Sequence, residues 1–280
     1  MSETEAADER ETIRFDNVRL EIEGPLATIW LDDPNRLNAL SAQMVEALFG
    51  ALIEIAKPRR KIRCVMVTGE GRGFCAGANL AAVGEKGNAG DQRAEPPALA
   101  ALEGAFHPLI RRFRDIEIPV VAAVNGPCVG IGLALALLSD HIVASDKAYF
   151  LVPFVSLASS TDSGLTWLLP RAIGPARART MVMQAKRVSA ETALEWGMIH
   201  EVVPMEGFRD AARAVALDYA NGPTVALGVM RQLFQRGADR SLDEQLEAEL
   251  KGVMKTARTK DNLSAIMAFG KKAKPSFNGE

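Results

Sequence analysis

Two glycine-rich turns carry the residues best suited to chemistry. The first, Gly71-Arg72-Gly73-Phe74-Cys75-Ala76-Gly77-Ala78-Asn79-Leu80, follows the apolar run Cys64-Val65-Met66-Val67-Thr68-Gly69. The second, Asn125-Gly126-Pro127-Cys128-Val129-Gly130-Ile131-Gly132, follows Val120-Val121-Ala122-Ala123-Val124 and leads into a small apolar helix opening near Ile131. Both runs are too continuously apolar for a strand with one wet face, so they read as buried strands. Where such a strand passes through glycines into a helix, backbone can approach a ligand closely and the first helical N–H groups lack intrahelical acceptors. Two turns of this kind can aim two backbone donors at one oxygen, and a thioester oxygen becoming an enolate oxygen would suit them. Either turn alone specifies little, because strand, glycine turn and helix recur throughout α/β proteins.

The rest of the chain must hold these turns in place. With 280 residues, 48% of them hydrophobic, there is material for one large α/β domain, or a domain with a helical extension. A formal charge of −2 gives no broad attraction to nucleic acid or anionic membrane, and no polyanion partner is implied. Cys64, Cys75 and Cys128 are dispersed among apolar segments, so they read as small buried hydrophobes, with neither a disulfide framework nor a metal site. The polar, acidic start lacks the apolar core of a signal peptide, and no run reaches the length of a membrane span, so a cytoplasmic protein is expected. Segments 14–22 and 26–31 read as a hairpin turning at Glu23-Gly24-Pro25. Ser41 caps a helix with Met44, Leu48, Leu52 and Ile55 on its apolar face, and the spacing of Phe106, Leu109, Ile110 and Phe113 predicts a helix over 99–113. Residues 84–93, polar and glycine-rich, read as a mobile lid. Toward the end, Ser241 and Glu244 form a capping box before a stripe of Leu242, Leu246, Leu250 and Val253.

The motifs G-R-G-F-C-A-G-A-N-L, I-P-V-V-A-A-V-N-G-x-x-x-G-x-G and S-D-H-I-V-A-S-D-K-A-Y-F resemble, in order and spacing, the crotonase (enoyl-CoA hydratase/isomerase) superfamily. The resemblance runs over about residues 14–277. Within the superfamily it is nearest to enoyl-CoA isomerases of the phenylacetate-pathway type, through Thr161-Asp162-Ser163-Gly164-Leu165-Thr166-Trp167-Leu168-Leu169-Pro170-Arg171 and Glu195-Trp196-Gly197-Met198-Ile199. This implies an α/β crotonase spiral of β-β-α turns over 12–204, followed by a helical oligomerisation and CoA-closing region over 205–280. A homotrimer, or a hexamer built as a dimer of trimers, is implied as well. The substrate would be a coenzyme A thioester, with no further cofactor. Ala76 and Ile131 are the expected oxyanion donors; the family usually has glycine where Ile131 stands, a change that keeps the N–H but narrows the pocket. Arg36, Ala78, Phe154, His107, Phe269 and Lys272 are the expected substrate contacts, with Arg36 on the CoA phosphates and Phe269 and Lys272 reaching the coenzyme of an adjacent subunit. The Glu-Gly usual before that last motif is Leu263-Ser264 here.

Hydration of an enoyl thioester uses two glutamates in this superfamily, one to place water and one to deliver a proton. Their positions fall at Ala134 and Phe154, and neither side chain can activate water. Asp162 is the acid that the resemblance brings to the same pocket. As Asp before Ser-Gly it could simply cap a helix; beside Phe154, Ala134 and Val152 it would be desolvated and better suited as a base for a carbon acid. Asp140 reads as structural. The expected activity is therefore conversion of 3-enoyl-CoA to 2-enoyl-CoA with Asp162 as base. Three alternatives stand beside it: hydration by a displaced acid, hydrolysis like that of 4-chlorobenzoyl-CoA dehalogenase using Asp162 and His107, and acyl-CoA binding without turnover.

Overall fold

The computed structural model describes residues 10–79 and 102–280. The lid expected at 84–93, and the first residues of the helix expected from 99, lie outside the described residues. The strands are, in chain order, β1 (Glu11–Phe15), β2 (Val18–Glu23), β3 (Leu26–Leu31), β4 (Cys64–Gly69), β5 (Val120–Val124), β6 (Pro127–Val129), β7 (His141–Ser145), β8 (Tyr149–Leu151), β9 (Val188–Ser189) and β10 (Glu201–Val203). Seven of them form one sheet in the order β1-β2-β3-β4-β5-β7-β10, and β6, β8 and β9 form a second. The first three pair antiparallel, and every pairing from β3 to β10 in the large sheet is parallel. The chain steps from the large sheet to the small one and back, β5 to β6 and then β7 to β8, with a helix between. This is the β-β-α spiral of the crotonase fold.

One strand of the expected hairpin is in fact two. Asp16 and Asn17 break the segment 14–22, with Asn17 in the left-handed region at φ 51°, where asparagine is tolerated better than most residues. The helix expected over 99–113 is also interrupted. A π-helical turn, Leu102–Phe106, precedes α2 (His107–Arg114), the helix following α1 (Ala42–Ile55). Pro108 in the first turn of α2 has no N–H for the preceding turn, so regular α bonding cannot run through it.

The continuous apolar runs of β4 and β5 follow from having both faces covered. Val65, Val67, Val120, Ala122 and Val124 face the main core, where α1 and α2 pack. Cys64, Met66, Val121 and Ala123 face the other way, against Phe208, Ala212, Ala216 and Ala220. Those four recur at helical spacing on α7 (Phe208–Ala220), which follows α3 (Ile131–Leu137), α4 (Leu165–Ile173), α5 (Pro175–Met183) and α6 (Ala190–Glu195). Burying a side chain the size of Phe208 contributes about 1.5–3 kcal/mol, so α7 fixes the sheet from behind.

After α7 come α8 (Thr224–Gly237), α9 (Leu242–Thr256) and α10 (Lys260–Gly270). Ser41 caps α1 by accepting the Met44 amide, and Ser241 with Glu244 completes a capping box on α9, both as expected. The stripe of Leu242, Leu246, Leu250 and Val253 is exposed in the single chain, as is Phe269 on α10. Among the described residues no helix is long and apolar enough to cross a membrane.

Candidate active site

The two glycine-rich turns are clamped together before they meet anything else. The Asn38 side-chain amide donates to the carbonyls of Glu70 (3.0 Å) and Gly73 (2.7 Å), and that of Asn125 donates to Gly71 (2.9 Å) and Gly73 (3.1 Å). Asn38 is fully buried and Asn125 nearly so, so losing either would leave carbonyls without donors in the interior. The turns are then stitched to each other: the amides of Phe74 and Cys75 donate to the Pro127 carbonyl, and the amide of Val129 donates to Cys75. Gly132 marks how close this approach is. A Cβ there would lie 2.6 Å from the Cys75 Cβ, so only glycine fits. Gly130, at φ 53° and ψ −121°, takes a conformation that strongly favours glycine, and it redirects the chain into α3.

This geometry corrects one expected donor. The Ala76 amide is bonded to the Leu37 carbonyl at 2.9 Å and is not available to a ligand. Two residues on, the chain forms a parallel bridge in which the Leu40 amide donates to the Gly77 carbonyl and the Asn79 amide to the Leu40 carbonyl. In such a bridge the middle residue turns its own N–H to the opposite side. That residue is Ala78, expected as a substrate contact only. Ile131 opens α3, so its amide has no intrahelical acceptor. Among the described residues neither the Ala78 nor the Ile131 amide has a protein acceptor.

Ala78 and Ile131 line one small cavity of about 90 Å³ together with Phe106, Val129, Phe154, Leu157, Asp162 and Ser163. Among the described residues Asp162 is thus the acid that lines this space with the two turns. It does not cap α4 with its side chain, since the N-cap is Gly164, with no side-chain bond. Instead, the Ser163 hydroxyl donates to Asp162 Oδ1 at 2.7 Å. Burial raises the Asp162 pKa above the ordinary carboxylate range, while the Ser163 hydrogen bond and the charge of His107 pull it back in part. Ala134 is fully buried in α3, and Phe154 brings its ring against the Gly130 turn. The acid therefore faces aliphatic and aromatic walls, a setting for a base acting on carbon.

The other expected contacts lie elsewhere. His107, at the start of α2, is half-buried and within electrostatic reach of Asp162 but does not line the cavity. Arg36 sits on the short Pro34–Arg36 turn, 63% exposed and paired with Asp33 at 3.2 Å. Phe269, 86% exposed, and Lys272 lie at the far end of α10, outside the cavity. The three cysteines are buried, and burial pushes the Cys75 thiol up to about 12, so it is inert at neutral pH. Sequence reasoning passed over the roles of Asn38, Asn125 and Ser163, although Asn125 and Ser163 stand within the quoted motifs and the Asn-Gly of 125–126 is a turn signal.

Comparison with known proteins gives the family. Residues 21–280 match the family described as enoyl-CoA hydratase/isomerase. The chain is 36% identical over 264 residues to the 1,2-epoxyphenylacetyl-CoA isomerase of Escherichia coli (strain K12), covering 92% of this chain and 97% of that protein. It is also 36% identical over 268 residues to a protein of Rhodobacter capsulatus named "Probable enoyl-CoA hydratase", covering 95% and 99%. Among solved structures, an enoyl-CoA hydratase from Bacillus anthracis superposes with a TM-score of 0.85 at 28% identity, over 94% of this chain and all of that one. The chain belongs to the enoyl-CoA hydratase/isomerase family.

Proposed function

We propose that, within this family, the chain shifts the double bond of a 3-enoyl-CoA to the 2-position, with Asp162 as the base and the amides of Ala78 and Ile131 as the oxyanion donors. The observation that carries the reading is the make-up of the cavity: among the described residues, a single, partly desolvated carboxylate shares it with two unengaged backbone amides. A 1,3 shift needs no more than this. Asp162 removes a proton from C2, the negative charge moves onto the thioester oxygen, and the same acid returns the proton at C4. Backbone amides fixed by the Leu40 bridge and the Gly130 turn stabilise that oxygen without reorganising.

Hydration fits the same walls poorly, because Ala134 and Phe154 stand where the family's two glutamates would orient and protonate. A dehalogenase-like reaction has one specific support, the electrostatic reach of His107 to Asp162. The CoA moiety would run outward past Arg36, with Phe269 and Lys272 supplied by another copy. The exposed stripe of α9 gives that copy an apolar surface to cover, in keeping with a trimer or a pair of trimers.

The test is product analysis. Incubated with trans-3-hexenoyl-CoA the protein should yield the 2-enoyl thioester, with slow or no formation of 3-hydroxyacyl-CoA from trans-2-hexenoyl-CoA. Rapid hydration, or chloride release from 4-chlorobenzoyl-CoA, would replace the isomerase assignment; tight binding of all three thioesters without turnover or C2-proton exchange would favour a non-catalytic acyl-CoA-binding role.

A further inference from the structure

We propose that Ser163 is a positioning residue for this base: its hydroxyl holds Asp162 Oδ1 and so dedicates the other oxygen, Oδ2, to the substrate proton. The inference rests on the reading of Asp162 as the base and adds the element that orients it. Ser163 is 1% exposed and lines the cavity beside Asp162. Its backbone lies in the left-handed region at φ 56°, a conformation that disfavours any residue bearing a Cβ. Glycine would adopt it freely, and Gly164 does so next in the chain. What serine adds over glycine is a Cβ and a hydroxyl, and that hydroxyl makes the 2.7 Å bond to Oδ1. The length falls in the range of charge-assisted O–H···O⁻ bonds.

Among the described residues the Asp162 carboxylate accepts no other hydrogen bond, so Oδ2 has no donor beside the apolar cavity that Asp162 lines. A donor on the ionised form favours ionisation and offsets part of the desolvation that opposes it. In the proposed shift the C2–H bond breaks, its proton goes to Oδ2, and its electron pair enters the C1–C2 bond as charge moves to the thioester oxygen. The thioester carbonyl then re-forms, the C1=C2 pair becomes the C2=C3 double bond, and the C3=C4 π pair takes the proton from Oδ2 to make the C4–H bond, which leaves the carboxylate ionised again. The Ser163 proton stays on its own oxygen throughout, so both transfers start from one carboxylate orientation.

Two variants separate the hydroxyl from the backbone. Ser163→Ala removes the hydroxyl and keeps the strained Cβ, whereas Ser163→Gly removes both. The carboxyl pKa of Asp162 is read by NMR in protein carrying 13C-labelled aspartate, with Asp162→Asn giving the assignment, and turnover of trans-3-hexenoyl-CoA is followed against pH. Both variants should titrate Asp162 at higher pH than the parent and move the acid limb of kcat the same way. They should lose roughly tenfold to a hundredfold in kcat with KM nearly unchanged, as expected for loss of a hydrogen bond to a charged group. A purely structural serine would give a different pattern: Ser163→Gly, relieved of strain, would keep the parent titration and the parent kcat, and this overturns the proposal. The two failures are distinguishable. An inactive Asp162→Asn beside parent-like Ser163 variants removes only the positioning role, whereas an active Asp162→Asn removes the base and the positioning role with it.

Discussion

Asp140 and Asp162 are both acids whose pKa is raised first by burial, yet their surroundings are opposite. Asp140 Oδ2 accepts the Val120 amide at 2.8 Å, and Oδ1 accepts the Arg231 guanidinium at 2.6 Å. Arg231, with its side chain 1% exposed, also donates to the carbonyls of Phe113, Ile116 and Leu138. Both oxygens of this acid are engaged, and the pair bolts α8 to the ends of α2 and α3 and to the starts of β5 and β7. Among the described residues Asp162 accepts one bond, from its own neighbour, and otherwise lines an apolar cavity. Desolvation marks both acids, and what separates a structural acid from a proton acceptor is whether its lone pairs are already taken.

The comparison can be sharpened by removing parts of each region. The largest effect after loss of the base itself should come from Ile131→Pro, which deletes one oxyanion donor at about 2.7–4 kcal/mol of transition-state stabilisation. Position 131 is the first residue of α3, where proline is tolerated, so the fold should survive. Ile131→Ala keeps the N–H and should cost far less, and kcat/KM of the two variants decides between donor and side chain. Asp140→Ala should do the reverse: on the order of 3 kcal/mol lost in denaturant melts, with kcat per folded molecule unchanged. The figure is the low end for breaking a buried pair, because the Asp140 side chain is still 22% exposed and water can reach the orphaned guanidinium. A large fall in kcat there, at full stability, would erase the distinction between the two acids.

A smaller effect follows from pH. Because burial raises the folded-state pKa of Asp162 above its unfolded value, the native state binds more protons between those two values. This contribution to stability is present below the unfolded pKa and is lost as pH climbs through the folded one. Asp162→Asn should therefore be more stable than the parent at neutral pH, with the gap closing as pH falls to about 3, below the ordinary aspartate value. Urea melts at the two pH values measure it; a parent more stable than the variant at neutral pH would mean that the carboxylate is satisfied as Asp140 is.

Much of this arrangement was legible in the residues. The runs of β4 and β5, the Ser41 and Ser241 caps and the unengaged amide of Ile131 follow from patterning that local chemistry enforces. The misses share a cause. Ala76 and Ala78 are equally small and stand two apart in one turn, and which amide is free depends on where Leu37 and Leu40 come to lie, a tertiary matter that no local pattern encodes. Asp162 read as a possible cap because Asp before Ser-Gly often is one, but left-handed Ser163 and Gly164 postpone the helix to Leu165 and leave the carboxylate unbonded to the helix. The break in the first strand was visible as Asp16-Asn17 but was outweighed by the alternation around it.

The most direct test of the central claim is the rate of conversion of trans-3-hexenoyl-CoA to the 2-enoyl thioester in deuterated water, followed by proton NMR for the parent and for Asp162→Asn. Removal of one well-placed base should slow both isomerisation and deuterium entry at C2 by about 10²–10⁴-fold, with the thioester still bound. A variant that isomerises and exchanges within a few fold of the parent would show that the proton is taken by another group.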